Sequence, residues 1–167
     1  SYFEHMTTMT DKTRLGPLFV DLYELTMAAS YFAQGFTSHA TFSLFVRDLP
    51  ANRNYLVTAG LEAVLDELSQ LRFSADEIAY LKASGNFAGD FIAYLEQFRF
   101  AGQVHAVPEG TIVFPGEPII EITAPIIQAQ IVETFLINAI GLATMIASKA
   151  ARCFHAAGGR SLIDFAL

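Results

Sequence analysis

The apolar and polar positions change period several times along the chain, and each change marks an element. Pro17 precedes, and Gly35 follows, a segment over about Asp21 to Gln34 that carries Leu22, Tyr23, Leu25, Met27, Tyr31 and Phe32. Proline near a start and glycine past an end bracket a helix, and its composition alone suits a core helix. From His39 to Val46 the pattern alternates, with Ala40, Phe42, Leu44 and Val46 on one side and Thr41 and Ser43 on the other, as in a half-buried strand. Arg47 to Asn54 is polar and holds Pro50, so it reads as a loop. Gly60 opens a helix with Leu61, Val64, Leu65, Leu68 and Leu71 on one stripe. Ser74-Ala75-Asp76-Glu77 is a capping box for the next helix, which carries Ile78 and Leu81 and stops at Gly85. A short helix over about Gly89 to Gln97 follows.

After Arg99 the period falls to two. Phe100–Val107, Thr111–Phe114 and Pro118–Thr123 predict three strands, separated by Pro108-Glu109-Gly110 and Pro115-Gly116-Glu117 turns, and together a compact antiparallel unit. Ala124-Pro125 is the expected domain seam, since proline disfavours a helical residue before it and suits a first helical turn. A long apolar helical run follows, nearly uncharged until Lys149 and Arg152, and stops at Gly158-Gly159. Ser161 to Leu167 reads as a strand buried on both faces. A helix, a glycine stop and a buried strand open an α/β layer, so the chain is expected to be the front part of a larger protein. Residues 1–5, ahead of Met6, read as an expression-tag remnant.

Composition sharpens this picture. The 53% apolar content and mean hydropathy of +0.38 exceed the needs of a self-contained domain of 167 residues. The surplus lies in 125–167, where Gln128, Gln130, Glu133, Thr134 and Asn138 interrupt the run and favour a buried or interfacial helix over a membrane span. A net charge of −7 argues against a nucleic-acid surface. The single Cys153 suits a reducing compartment, and with no signal peptide evident the expected location is the cytoplasm.

The motifs of common catalytic machineries are missing: no G-x-S-x-G, H-E-x-x-H, Walker loop or G-x-G-x-x-G occurs. His39, His105 and His155 are isolated, and no metal ligand set is expected. Lys149 and Arg152, three apart on one helix face, form either a solvated helix end or a cation pair aimed at phosphates. Glu109-Gly110 and Gly116-Glu117-Pro118 look like the hammerhead of biotinyl and lipoyl carriers, but the lysine those carriers require is replaced by Thr123-Ala124-Pro125.

Read together, Val20-Asp21-Leu22-Tyr23-Glu24-Leu25-Thr26-Met27, Ala59-Gly60-Leu61-Glu62, Phe98-Arg99-Phe100-x-Gly102, Pro108-Glu109-Gly110 with Phe114-Pro115-Gly116-Glu117-Pro118, Ala129-Gln130-x-Val132-Glu133-Thr134 and Ser148-Lys149-Ala150-Ala151-Arg152 resemble the nicotinate phosphoribosyltransferase family of type II phosphoribosyltransferases. The blocks keep their order and spacing from about Leu15 to Leu167; Val20 stands where the family often has Thr. The resemblance implies a mixed α+β and α/β fold. A hammerhead-like domain would span 6–124, and 125–167 would supply the first helices and first strand of an α/β barrel. It implies that nicotinate and phosphoribosyl pyrophosphate form nicotinate mononucleotide in NAD salvage, with ATP hydrolysis and Mg²⁺, in a homodimer with shared active sites. Tyr23 would then contact nicotinate, Asp21 would orient it or cap its helix, and Lys149 and Arg152 would meet phosphates or the dimer partner. No catalytic residue is expected here, because the family's phosphorylated histidine lies deep in the barrel. Another pyridine substrate (nicotinamide or quinolinate) and a non-catalytic hammerhead module are the alternatives.

Overall fold

The computed structural model describes residues 16–163 and Phe165 of the chain. In chain order it has α1 (Leu22–Ala33), β1 (His39–Phe45), β2 (Leu56–Val57), α2 (Leu61–Gln70), α3 (Ala75–Ser84), α4 (Gly89–Glu96), β3 (Gln103–Ala106), β4 (Ile112–Val113), β5 (Pro118–Pro125) and α5 (Ile126–Ala157). The first of two sheets is fully antiparallel, in the order β1-β5-β3; the second is the short pair β2-β4.

The alternation in β1 decides which face of the larger sheet is covered. Ala40, Phe42 and Leu44 turn inward beside Ile120, Ile122 and Ala124 of β5, whereas Thr41 and Ser43 turn outward. The outer face is held by cross-strand polar pairs: Thr41 and Thr123 share a hydroxyl hydrogen bond of 2.8 Å, and Ser43 Oγ donates to Glu121 Oε1 at 2.7 Å. β3 is shorter than its alternation predicts. Phe100 and Gly102 lie outside it, and the Ala101 N–H bonds Gln128 Oε1 of α5 at 2.9 Å in place of a ladder partner.

The capping box of α3 is present in full: Glu77 N–H donates to Ser74 Oγ, and Ser74 N–H donates to Glu77 Oε2. On α2 the buried stripe is Val64, Leu68 and Leu71. Leu65, one residue and so about 100° round the helix from Val64, is 43% exposed. Phe32, Phe91, Tyr94, Phe98 and Phe73 form a run of ring contacts that joins α1 to α4 and to the turn before α3.

α5 is the pillar. It has the length and hydropathy of a membrane span, but it packs against α1, β1, β2, β5 and α2, and it buries Gln130, Thr144 and Ser148 inside the protein. It continues directly from β5, with Ile126 N–H bonded to Ser38 O at 3.0 Å, and runs unbroken for 32 residues to a left-handed Gly158. The strand expected over 161–167 is not seen at Ser161–Ile163, which are irregular and exposed; Asp164, Ala166 and Leu167 fall outside the described residues. Buried strands are stabilised by flanking strands, and among the described residues none lies alongside this segment.

Gly60 sets how closely β2 and α2 approach α5. Its φ is +97°, and a Cβ there would lie 2.9 Å from Ala143 Cβ and 3.3 Å from Ala139 O. Gly60→Ala therefore carries both the left-handed penalty and an overlap with α5, and is expected to cost about 2 kcal/mol or more. Gly35→Ala, at φ +69° but in open space, should cost only about 1 kcal/mol. Urea unfolding of the two variants checks this, and equal losses would remove the close-contact argument.

Candidate functional site

The sequence marks Asp21 and Tyr23, and both lie where α1 begins against the middle of α5. Asp21 occupies the N-cap position of α1 without a side-chain cap bond; its N–H instead donates to Thr134 Oγ1 of α5 at 3.4 Å. Capping is therefore not what its carboxylate does here. Tyr23, in the first turn, is 52% exposed, and Leu22 and Met27 beside it are also exposed. Glu24, Leu25 and Ala28 of α1 are buried and Tyr31 and Phe32 pack against the core, so the core reading holds for one face of this helix, while Leu22, Tyr23 and Met27 face outward.

Glu24 is the residue that sequence reasoning missed. It is 1% exposed where α1 packs against α5. Its carboxylate accepts from Tyr23 Oη at 3.3 Å on one oxygen and from Thr134 Oγ1 at 2.5 Å on the other. Beside it on α5, Glu133 accepts from Gln130 Nε2 at 2.8 Å. The available signal was a set of polar residues (Glu24, Gln130, Glu133, Thr134) embedded in apolar runs, because such groups persist inside only when hydrogen-bonded.

Three carboxylates thus surround one phenol. The charges of Glu133 and then Glu24, helped by burial and the Glu24 hydrogen bond, hold the Tyr23 hydroxyl above its ordinary pKa, so it stays a neutral donor. Burial, and secondarily the Glu24 charge, pushes the Glu133 carboxyl above its ordinary range, against the opposing Gln130 hydrogen bond. Alongside, a cleft of about 180 Å³ lies between β1 and α5, with Phe42, Leu44, Ile122 and Ile137 in its walls and Glu133 at its edge.

Lys149 and Arg152 lie further along α5, exposed and half-buried respectively. Fifteen residues separate Thr134 from Lys149, or roughly 22 Å along the axis, so the two candidate pairs do not form one cluster. His39, His105 and His155 are exposed and scattered, and Cys153 is exposed. Among the described residues no group of three or more His, Cys, Asp or Glu could hold a metal ion.

Because the native carboxyl of Glu133 binds its proton more tightly than the unfolded one, its ionisation opposes folding. Stability is lost as pH rises from its ordinary value of 4.5 through the raised native value, and the deficit persists above that window. Glu133→Gln removes the charge and keeps an acceptor for Gln130. It should raise the melting temperature at about pH 7 and leave it nearly unchanged at about pH 4. A gain at the lower pH equal to that at the higher would show that ionisation is not the cause.

Comparison with known proteins identifies the family. The N-terminal domain model of nicotinate phosphoribosyltransferase matches residues 18–141. Nicotinate phosphoribosyltransferase pncB2 of Mycobacterium tuberculosis (strain ATCC 25618 / H37Rv) is 46% identical over 157 residues, which cover 94% of this chain and 34% of that protein. The Bacillus subtilis (strain 168) nicotinate phosphoribosyltransferase is 38% identical, over 89% of this chain and 30% of its own length. The crystal structure of human nicotinic acid phosphoribosyltransferase superposes with a TM-score of 0.78 at 29% identity, over 89% of this chain and 31% of that one. The chain spans about a third of the length of these relatives. With the matching blocks, the mixed α/β fold and the matched domain in agreement, the chain belongs to the nicotinate phosphoribosyltransferase family.

Proposed function

We propose that this chain forms part of the substrate site of an enzyme that joins nicotinate to the ribose of phosphoribosyl pyrophosphate. The products are nicotinate mononucleotide and pyrophosphate, and the setting is NAD salvage in the cytoplasm. The observation that carries the reading is Tyr23: it belongs to a family block, is half-exposed at the start of α1, and has its hydroxyl engaged by the buried Glu24. An aromatic ring held by its polar end presents its face to solvent, and a pyridine ring stacks on such a face.

In this reaction the pyridine nitrogen attacks the anomeric carbon as the bond to pyrophosphate breaks. The transition state carries oxocarbenium character, so placement and charge stabilisation matter more than proton transfer. Tyr23 provides placement, and Asp21, unused as a cap, borders the same surface. Lys149 and Arg152 are the cations for the phosphates or for a dimer partner, in a homodimer whose copies share their sites. On this reading 6–124 form a hammerhead-like domain and 125–167 enter an α/β barrel. ATP and Mg²⁺ would drive the reaction. Among the described residues no group of three or more His, Cys, Asp or Glu could hold the metal.

Assay of the full-length enzyme with nicotinate, nicotinamide and quinolinate tests the proposal. Nicotinate mononucleotide should be the product, and turnover with only one of the other two would overturn the choice. Tyr23→Ala should lower kcat/KM for nicotinate by about tenfold or more, whereas Tyr23→Phe, which keeps the ring, should retain most of it.

A further inference from the structure

Packing alone does not account for Glu24. It is 1% exposed, beside the buried Leu25 and Ala28 of its own helix. A carboxylate taken out of water is costly unless it is paired or hydrogen-bonded, and an apolar side chain of similar size would fill the position more cheaply. The two groups that meet this carboxylate are neutral hydroxyls, Tyr23 Oη at 3.3 Å and Thr134 Oγ1 at 2.5 Å. Neither hydroxyl depends on it, since Tyr23 is half-exposed and Thr134 only half-buried, so water can reach both.

The contacts supply a different reason. Thr134 Oγ1 also accepts the Asp21 N–H at 3.4 Å, and the Glu24 N–H bonds Asp21 O at 3.1 Å. One hydroxyl of α5 therefore fastens the first turn of α1 at Asp21 and again at Glu24, and Tyr23 lies between those two points. The second carboxylate oxygen of Glu24 holds the tip of the Tyr23 ring. The ring is thus tied at its base through the turn and at its tip through the phenol. A half-exposed tyrosine otherwise samples several rotamers, and binding to a flat partner is weakened by the cost of selecting one of them.

We propose that Glu24 is a positioning residue: by bridging Thr134 to the Tyr23 phenol it fixes the direction in which the Tyr23 ring stands, without itself touching substrate. The inference rests on the reading of Tyr23 given above, and deepens it by naming what aims the ring. Loss of the phenol hydroxyl alone frees only the tip, because the link from Glu24 to Thr134 still holds the turn. That accords with the small effect expected of Tyr23→Phe.

A double-mutant cycle in steady-state kinetics of the full-length enzyme tests this. Glu24→Leu should raise KM for nicotinate by about three- to tenfold, with kcat and KM for phosphoribosyl pyrophosphate nearly unchanged. Glu24→Gln, which keeps an acceptor and a donor in the same shape, should fall between. Added to Tyr23→Ala, Glu24→Leu should cost nothing further, because no ring is left to aim. Thr134→Val cuts the same link from the α5 side and should show the same pattern, so the cycle can be run even where Glu24→Leu folds poorly. Unchanged KM in both variants, or a loss that adds in full to that of Tyr23→Ala, overturns the proposal. If Tyr23→Ala alone leaves kcat/KM for nicotinate unchanged, the reading of Tyr23 fails and takes this inference with it. If Tyr23→Ala lowers kcat/KM while the other two variants are additive or silent, this inference alone fails.

Discussion

Backbone groups left open by short strands must find partners, and here the side chains of one helix supply them. β2 has two residues and pairs only with β4, so its second edge would otherwise be bare. Ser148 Oγ accepts from Val57 N–H at 2.8 Å, and Thr144 Oγ1 accepts from Ala59 N–H at 3.3 Å. Near the other end of α5, Gln128 takes the Ala101 N–H and Thr134 takes that of Asp21. A fully buried group left unmet costs on the order of 1–3 kcal/mol; the N–H groups of Val57 and Ala59 are half-buried, and those of Asp21 and Ala101 lie at the surface. Apolar burial along α5 supplies most of the driving force and is indifferent to small slides. These four polar residues are directional, so they fix where α1, β2 and the chain before β3 meet the helix.

That division explains what could be read from the sequence. Helix limits were legible because they are set locally: Pro17 and Gly35 bracket α1, and Ser74 with Glu77 starts α3. The strands β1 and β5 were legible from alternation, and the family from its matched blocks. Pairing was not legible, because β5 lies between β1 and β3 through contacts of long sequence separation. The same limit hid Glu24, whose burial depends on Thr134, distant in the chain. The segment after Gly159 shows the converse error. Apolarity without neighbours does not make a strand, and Leu162 and Ile163 remain exposed.

The electrostatics of the Tyr23 end constrain how an anionic pyridine could lie there. Asp21, Glu24 and Glu133 all raise the energy of negative charge beside the phenol. A ligand carboxylate about 5 Å from one ionised carboxylate would meet a repulsion of about 1–3 kcal/mol, depending on local screening. Stacking the ring on Tyr23 with the carboxylate turned away avoids that cost. The acidic surroundings therefore favour one orientation of the proposed ligand. The buried Glu24, by holding the phenol from behind, keeps the ring available for it.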